Sequence, residues 1–159
     1  MLDITLICVG GLKESFWKEA CAEYIKRLSQ WARVNVVELP QARLPRNPSQ
    51  AEIVSALRAE ETEIIKKLPR GAFMTALCVE GVELSSEEFA DTLSRRFQTS
   101  GNFAFVIGGS HGLSQGVKDA SQLKLSFSRM TFPHMTARVL LLEQLYRALS
   151  ILSGGKYHK

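Results

Sequence analysis

Residues 103–113 read Phe-Ala-Phe-Val-Ile-Gly-Gly-Ser-His-Gly-Leu, an apolar run of strand length that passes directly into glycines. Similar runs rich in β-branched residues recur at Leu2–Val9, Val34–Leu39, Phe73–Val79 and Leu123–Phe127, which predicts five strands. Between them apolar residues fall at helical spacing: Phe16, Ala20, Tyr24 and Leu28; then Ile53, Leu57, Ile64 and Leu68; then Phe89, Leu93 and Phe97. Strand and helix therefore alternate. That order predicts βαβ units with right-handed crossovers and an α/β fold, a mainly parallel sheet with helices on both faces. Pro40, Pro45 and Pro48 punctuate a loop inside this unit, so residues 1–159 form a single domain.

The closing helix is expected from Pro133 to Leu152, with Pro133 as its first residue and Thr131 as a nearby cap. Val139 to Leu142, Leu145, Tyr146, Ala148, Leu149, Ile151 and Leu152 cover more than one of its faces. A helix apolar almost all round must be buried on several sides, which predicts a homodimer through this element.

Composition narrows the function classes. With 159 residues, 45% hydrophobic and 23% charged, the chain has room for one packed core and is not a disordered polymer. No apolar run reaches the roughly 20 residues a bilayer span needs, and the start lacks a secretory pattern, so no membrane association and a cytoplasmic location are expected. Cys8, Cys21 and Cys78 are an odd set without a C-x-x-C pair, which predicts reduced thiols and no metal site. The net charge of +4 is unevenly placed. Residues 1–100 balance at −1 and residues 101–159 at +5, and all three histidines, His111, His134 and His158, lie in that last third. An RNA or nucleotide phosphate is attracted there.

Two segments can carry chemistry. Ligands of open α/β sheets bind at the carboxyl ends of strands, and Gly108 and Gly109 let a backbone approach a nucleotide closely. The same turn, Gly108-Gly-Ser-His-Gly112, also fits G-x-S-x-G, the nucleophile elbow of a serine hydrolase. In that alternative Ser110 attacks, with Asp119 or Glu143 and then His158 completing a triad, although Gly116 follows where the elbow needs a firm helix. Neither a dinucleotide fingerprint nor a Walker loop is present. The second segment runs Leu125-Ser-Phe-Ser-Arg-Met-Thr-Phe-Pro-His134, where apolar side chains interleave with hydroxyls as an adenine and ribose pocket requires.

Taken together, F-V-I-G-G-S-H-G-L at 105–113, L-S-F-S-R-M-T-F-P-H at 125–134, R-V-L-L-L-E-Q-L-Y-R-A at 138–148 and the terminal K-Y-H-K resemble the RlmH family of SPOUT-class RNA methyltransferases. The likeness begins at I-C-V-G-G-L-K-E, residues 7–14. It implies an α/β-knot with a C-terminal deep trefoil knot, and a cytoplasmic homodimer. The implied activity is transfer of a methyl group from S-adenosyl-L-methionine to N3 of a pseudouridine in 23S rRNA of the ribosome. The family's cofactor contacts map onto Leu77, Gly108, Phe127, Ser128, Arg129, Met130, Thr131 and Phe132. For the chemistry, His134, Tyr157 and His158 are candidates to take or orient the N3 proton, with Arg138 and Lys159 holding RNA phosphate or a developing oxyanion. A third class is a ribosomal RNA-binding protein without catalysis, using the basic end as a phosphate clamp.

Overall fold

The computed structural model describes residues 1–158. Its elements run β1 (Leu2–Val9), α1 (Ser15–Leu28), β2 (Ala32–Leu39), α2 (Gln50–Lys67), β3 (Phe73–Glu83), α3 (Ser86–Phe97), β4 (Asn102–Ile107), α4 (Gln115–Ala120), β5 (Leu123–Ser126) and α5 (His134–Leu152). One sheet of order β2-β1-β4-β3-β5 holds every strand, and every neighbouring pair is parallel.

Each central strand feeds two cores. Ile4, Leu6 and Cys8 of β1 and Phe103, Phe105 and Ile107 of β4 join one cluster with α1, α3 and α5. Ile7, Val9 and Val106 point the other way, toward Ile64 of α2 and Val117 of α4. Burial on both faces is why these strands read as unbroken apolar runs without alternation. The helix starts are written locally: Ser49 with Glu52 and Ser85 with Glu88 form reciprocal capping boxes at α2 and α3.

The structure departs from the expected elements at three places. Helix α4 was not anticipated, since six residues are too few to show a helical period; Ser114 caps it by accepting from the Val117 amide. Strand β3 extends past Val79 to Glu83, because its pairing with β5 jumps from Leu77 to Val82 and resumes. Gly81 sits in this irregularity where an added Cβ would lie 2.7 Å from the Lys124 and Leu125 backbone, so only glycine lets the strands pass. Pro133 is the residue before the first turn of α5 rather than inside it, and no side chain, Thr131 included, caps that helix. The apolar girth of α5 is covered in part within the chain: Val139, Leu140, Tyr146 and Ile151 are half-buried and Leu152 is exposed. The helix packs between α1 and α3 on the sheet, with Leu141, Leu142, Leu145, Ala148 and Leu149 buried.

Candidate active site

Three strands, β4, β3 and β5, deliver their carboxyl ends to one cleft of about 680 Å³. That is within the usual range for a small-molecule site, about 300 to 1,000 Å³. Leu77 and Cys78 come from β3, Gly108 to Leu113 from the turn after β4, and Phe127, Ser128 and Met130 to Phe132 from the link after β5. His134, at the start of α5, closes one side.

The glycine turn is built by close backbone approach. A Cβ on Gly108 would overlap the Gly112 carbonyl, the Gly112 amide donates to the Gly109 oxygen at 3.1 Å, and Gly112 has φ +75°. Across the cleft, the 127–133 link lacks regular structure yet is held by its own serines. Ser126 Oγ donates to the Ser128 carbonyl at 2.8 Å, and the Met130 amide donates to Ser128 Oγ at 3.0 Å. Met130 is left 72% exposed, a large apolar side chain at the mouth. Lys118 of α4 and Glu80 of β3 form an ion pair in the cleft wall, which holds the Glu80 carboxyl below its ordinary range. Because no side chain caps α5 and its first turn carries no acidic residue, the positive end of its dipole is uncompensated beside the cleft.

Of the candidate proton acceptors His134, Tyr157 and His158, the cleft contains His134. Its ring packs beneath Gly10, where an added Cβ would come within 3.0 Å of Cε1, and its Nδ1 is buried without a hydrogen-bond partner. Burial first, and then the positive charge of Arg138, lower its pKa from the ordinary 6.5, so the imidazole is neutral at pH 7.

Of the residues singled out in the sequence, Leu77, Gly108, Phe127, Ser128, Met130, Thr131, Phe132 and His134 are thus brought together. Arg129 is exposed and outside the cleft lining. Arg138 is 3% exposed behind the cleft, donating to Glu38 at 2.8 Å and to the Gly10 carbonyl at 3.0 Å, so in this chain it faces protein and not solvent. Tyr157 and His158 lie elsewhere. The Tyr157 hydroxyl donates to Glu143 at 3.2 Å, and burial, with neighbouring Tyr24 and Glu143, pushes its pKa up to about 12. His158 Nε2 is 2.6 Å from Glu87 of α3. Lys159 is outside the described residues. Cys78, Glu80 and Lys118 line the site, and Glu38 and Gly10 back it through Arg138 and His134; sequence reasoning missed all five. Gly10 carried a usable signal, since it follows β1 as Gly108 follows β4.

The hydrolase alternative fails on this geometry. No non-glycine residue among those described has a positive φ, so Ser110 is not in a strained elbow, and the nearest helix begins at Gln115, three residues after the Gly109–Gly112 bridge has closed. The triad partners are engaged apart from Ser110: Asp119 accepts from Gln115, Glu143 from Arg147, and His158 meets Glu87.

Among the described residues, no group of three or more His, Cys, Asp or Glu side chains could hold a metal, and no helix is long and apolar enough to cross a membrane. Residues 2–158 match a family model described as "Predicted SPOUT methyltransferase". The chain is 44% identical over 159 residues to "Ribosomal RNA large subunit methyltransferase H" of Carboxydothermus hydrogenoformans, covering 99% of this chain and 100% of that protein. Two solved structures share the fold. One is a probable methyltransferase from Bordetella pertussis Tohama I, with TM-score 0.56, 17% identity and coverage of 92% of this chain and 93% of that one. The other is described as "Structural insights into the 2-OH methylation of C/U34 on tRNA", with TM-score 0.51, 15% identity and coverage of 96% and 98%.

Proposed function

The chain belongs to the SPOUT methyltransferase family, and on that premise we propose that it uses S-adenosyl-L-methionine to methylate N3 of a pseudouridine in 23S rRNA, acting on assembled ribosomes. The observation that carries this reading is the cleft at the ends of β3, β4 and β5, formed by the segments that the family resemblance assigns to the cofactor. Full-length similarity to a large-subunit rRNA methyltransferase supports the substrate.

The residues present fit the cofactor. The cleft has the volume of a nucleoside with an amino-acid arm, its glycine turn offers backbone at Gly108 without side-chain obstruction, and the 127–132 link mixes apolar rings with hydroxyls. Leu77, Gly108 and Phe127 to Phe132 would hold it. When bound, it supplies a methyl carbon already activated on sulfonium. The protein's work is then alignment of the target nitrogen with that carbon, because positioning converts the step into an intramolecular one. The N3–H must also lose its proton. A neutral His134 in the cleft wall is placed to accept it, whereas Tyr157, with its raised pKa and its bond to Glu143, remains a phenol.

The same reading includes a single domain over 1–159, a C-terminal trefoil knot, a cytoplasmic location and a homodimer. For the knot, support comes from the interrupted β3–β5 pairing and from α5, which leaves the β5 edge of the sheet and packs back between α1 and α3. For the dimer, support comes from exposed Phe16, Met130, Phe132 and Leu152, and from Tyr157 and His158, neither of which lines the cleft of its own chain. A partner's tail would complete the site, with Lys159 on RNA.

Calorimetric titration with S-adenosylhomocysteine tests the reading, with fluorophosphonate labelling of Ser110 as control. Micromolar binding without labelling is expected; labelling without binding would overturn it, and strong salt-dependent RNA binding without either would leave the non-catalytic RNA-binding class.

A further inference from the structure

The link between β2 and α2, residues 40–49, carries two exposed arginines, Arg43 and Arg46, and no acidic residue. Neither guanidinium has an ion-pair partner among the described residues. The carboxylates that flank the loop in sequence bond to groups other than these guanidinia. Glu38 is paired with Arg138, Glu52 accepts from the Ser49 amide at 3.1 Å, and Glu60, 8% exposed, accepts from the Ala42 amide at 3.3 Å. Both guanidinia are therefore left without a direct carboxylate partner at the surface.

The loop is also fixed in place. Pro40, Pro45 and Pro48 restrict its backbone, the Ala42 amide is tied to Glu60, and the Gln41 side chain lies where a Cβ on Gly109 would meet it at 3.0 Å. Since Gly109 lines the cleft, Arg43 and Arg46 stand on a stiff loop that shares a wall with it. On the far side stands Arg129, exposed and likewise without an ion-pair partner among the described residues. β2 and β5 are the two edge strands, four strand spacings apart. At about 4.8 Å per spacing, the edge strands from which the two basic loops leave stand on the order of 19 Å apart.

Resting on the rRNA reading above, we propose that Arg43 and Arg46 grip backbone phosphates of the substrate RNA, so that the strand crosses the carboxyl edge of the sheet between this loop and Arg129. Arginine suits this task, because its planar fork meets a phosphate with two parallel hydrogen bonds. Such contacts position the strand and carry no base information.

The test is steady-state methylation of intact ribosomes by the full-length protein over a salt series. In R43Q/R46Q, KM for ribosomes rises about tenfold or more, kcat changes by less than about twofold, and the salt dependence becomes shallower by about one unit of log–log slope per arginine lost. S-adenosylhomocysteine affinity stays at the wild-type value, since neither residue lines the cleft. R43K/R46K, which keeps the charge and loses the fork, restores the salt slope but only part of the KM. A double glutamine variant with wild-type KM and salt slope would overturn the assignment while leaving the methyltransferase reading intact. Wild-type protein that binds S-adenosylhomocysteine yet methylates no ribosomal RNA would overturn the substrate reading, and the assignment with it.

Discussion

Arg138 and Glu38, one hundred residues apart, meet at 2.8 Å and clamp the start of α5 to the end of β2, with the Gly10 carbonyl as the arginine's second acceptor. The pair is asymmetric: the Arg138 side chain is 3% exposed and that of Glu38 is 47% exposed. A buried charge that loses its partner costs more than a half-exposed one that returns to water. Glu38→Ala therefore destabilises by about 2 kcal/mol, while Arg138→Met costs about 1 kcal/mol or less, despite removing the same ion pair. Urea denaturation of both variants checks the order, and equal losses would contradict the assigned burial.

Gly108→Ala places a Cβ on the Gly112 carbonyl, so the turn must move. The expected result is a loss of S-adenosylhomocysteine affinity of about tenfold or more, equivalent to about 1.4 kcal/mol, with the far-UV circular dichroism retained. Gly101→Ala, where nothing lies within 4 Å, leaves binding unchanged and serves as the control.

The pH dependence follows from His134. Its folded pKa lies below the ordinary 6.5, so the unfolded chain binds the proton more readily. Its contribution to stability is complete above pH 6.5 and is lost as pH falls through the depressed folded value. Methylation carries an acid limb in the same window, since the protonated ring cannot accept the N3 proton. His134→Gln lowers kcat and removes that limb; an unchanged profile in the variant would show that another group titrates.

Thiol reactivity reports occupancy of the cleft. Cys8, pushed up to about 12 by burial, and buried Cys21 stay silent to an aromatic disulfide reagent in the native protein. Cys78, in the cleft wall and partly exposed, reacts slowly because burial also raises its pKa. Saturating S-adenosylhomocysteine slows it further, by about tenfold under full occupancy at high affinity. Mass spectrometric mapping of the labelled cysteine checks both statements.

Sheet and helix order were legible because β1 and β4 are buried on both faces, which leaves a continuous apolar run in the sequence. The cleft edge at Gly108 was legible for a related reason, since this glycine directly follows such a run. What could not be read depends on contacts distant in sequence. The apolar girth of α5 shows that it is covered on several sides, yet only the packing reveals that α1 and α3 flank it. Arg138 reads as a surface cation until Glu38 and Gly10 are brought to it. The basic loop at Arg43 and Arg46 was hidden by the near-neutral charge balance of residues 1–100, because the neighbouring carboxylates are counted there although the fold employs them elsewhere.

The central claim is methylation of N3 on an rRNA pseudouridine, and its most direct measurement is nucleoside mass spectrometry. Ribosomes lacking the modification are incubated with the protein and methyl-labelled S-adenosylmethionine, and the large-subunit rRNA is then digested. The account predicts one labelled nucleoside, N3-methylpseudouridine, that is absent when His134→Gln replaces the wild type at matched concentration and short times. Label on a different nucleoside, or on none while S-adenosylhomocysteine still binds, would contradict it.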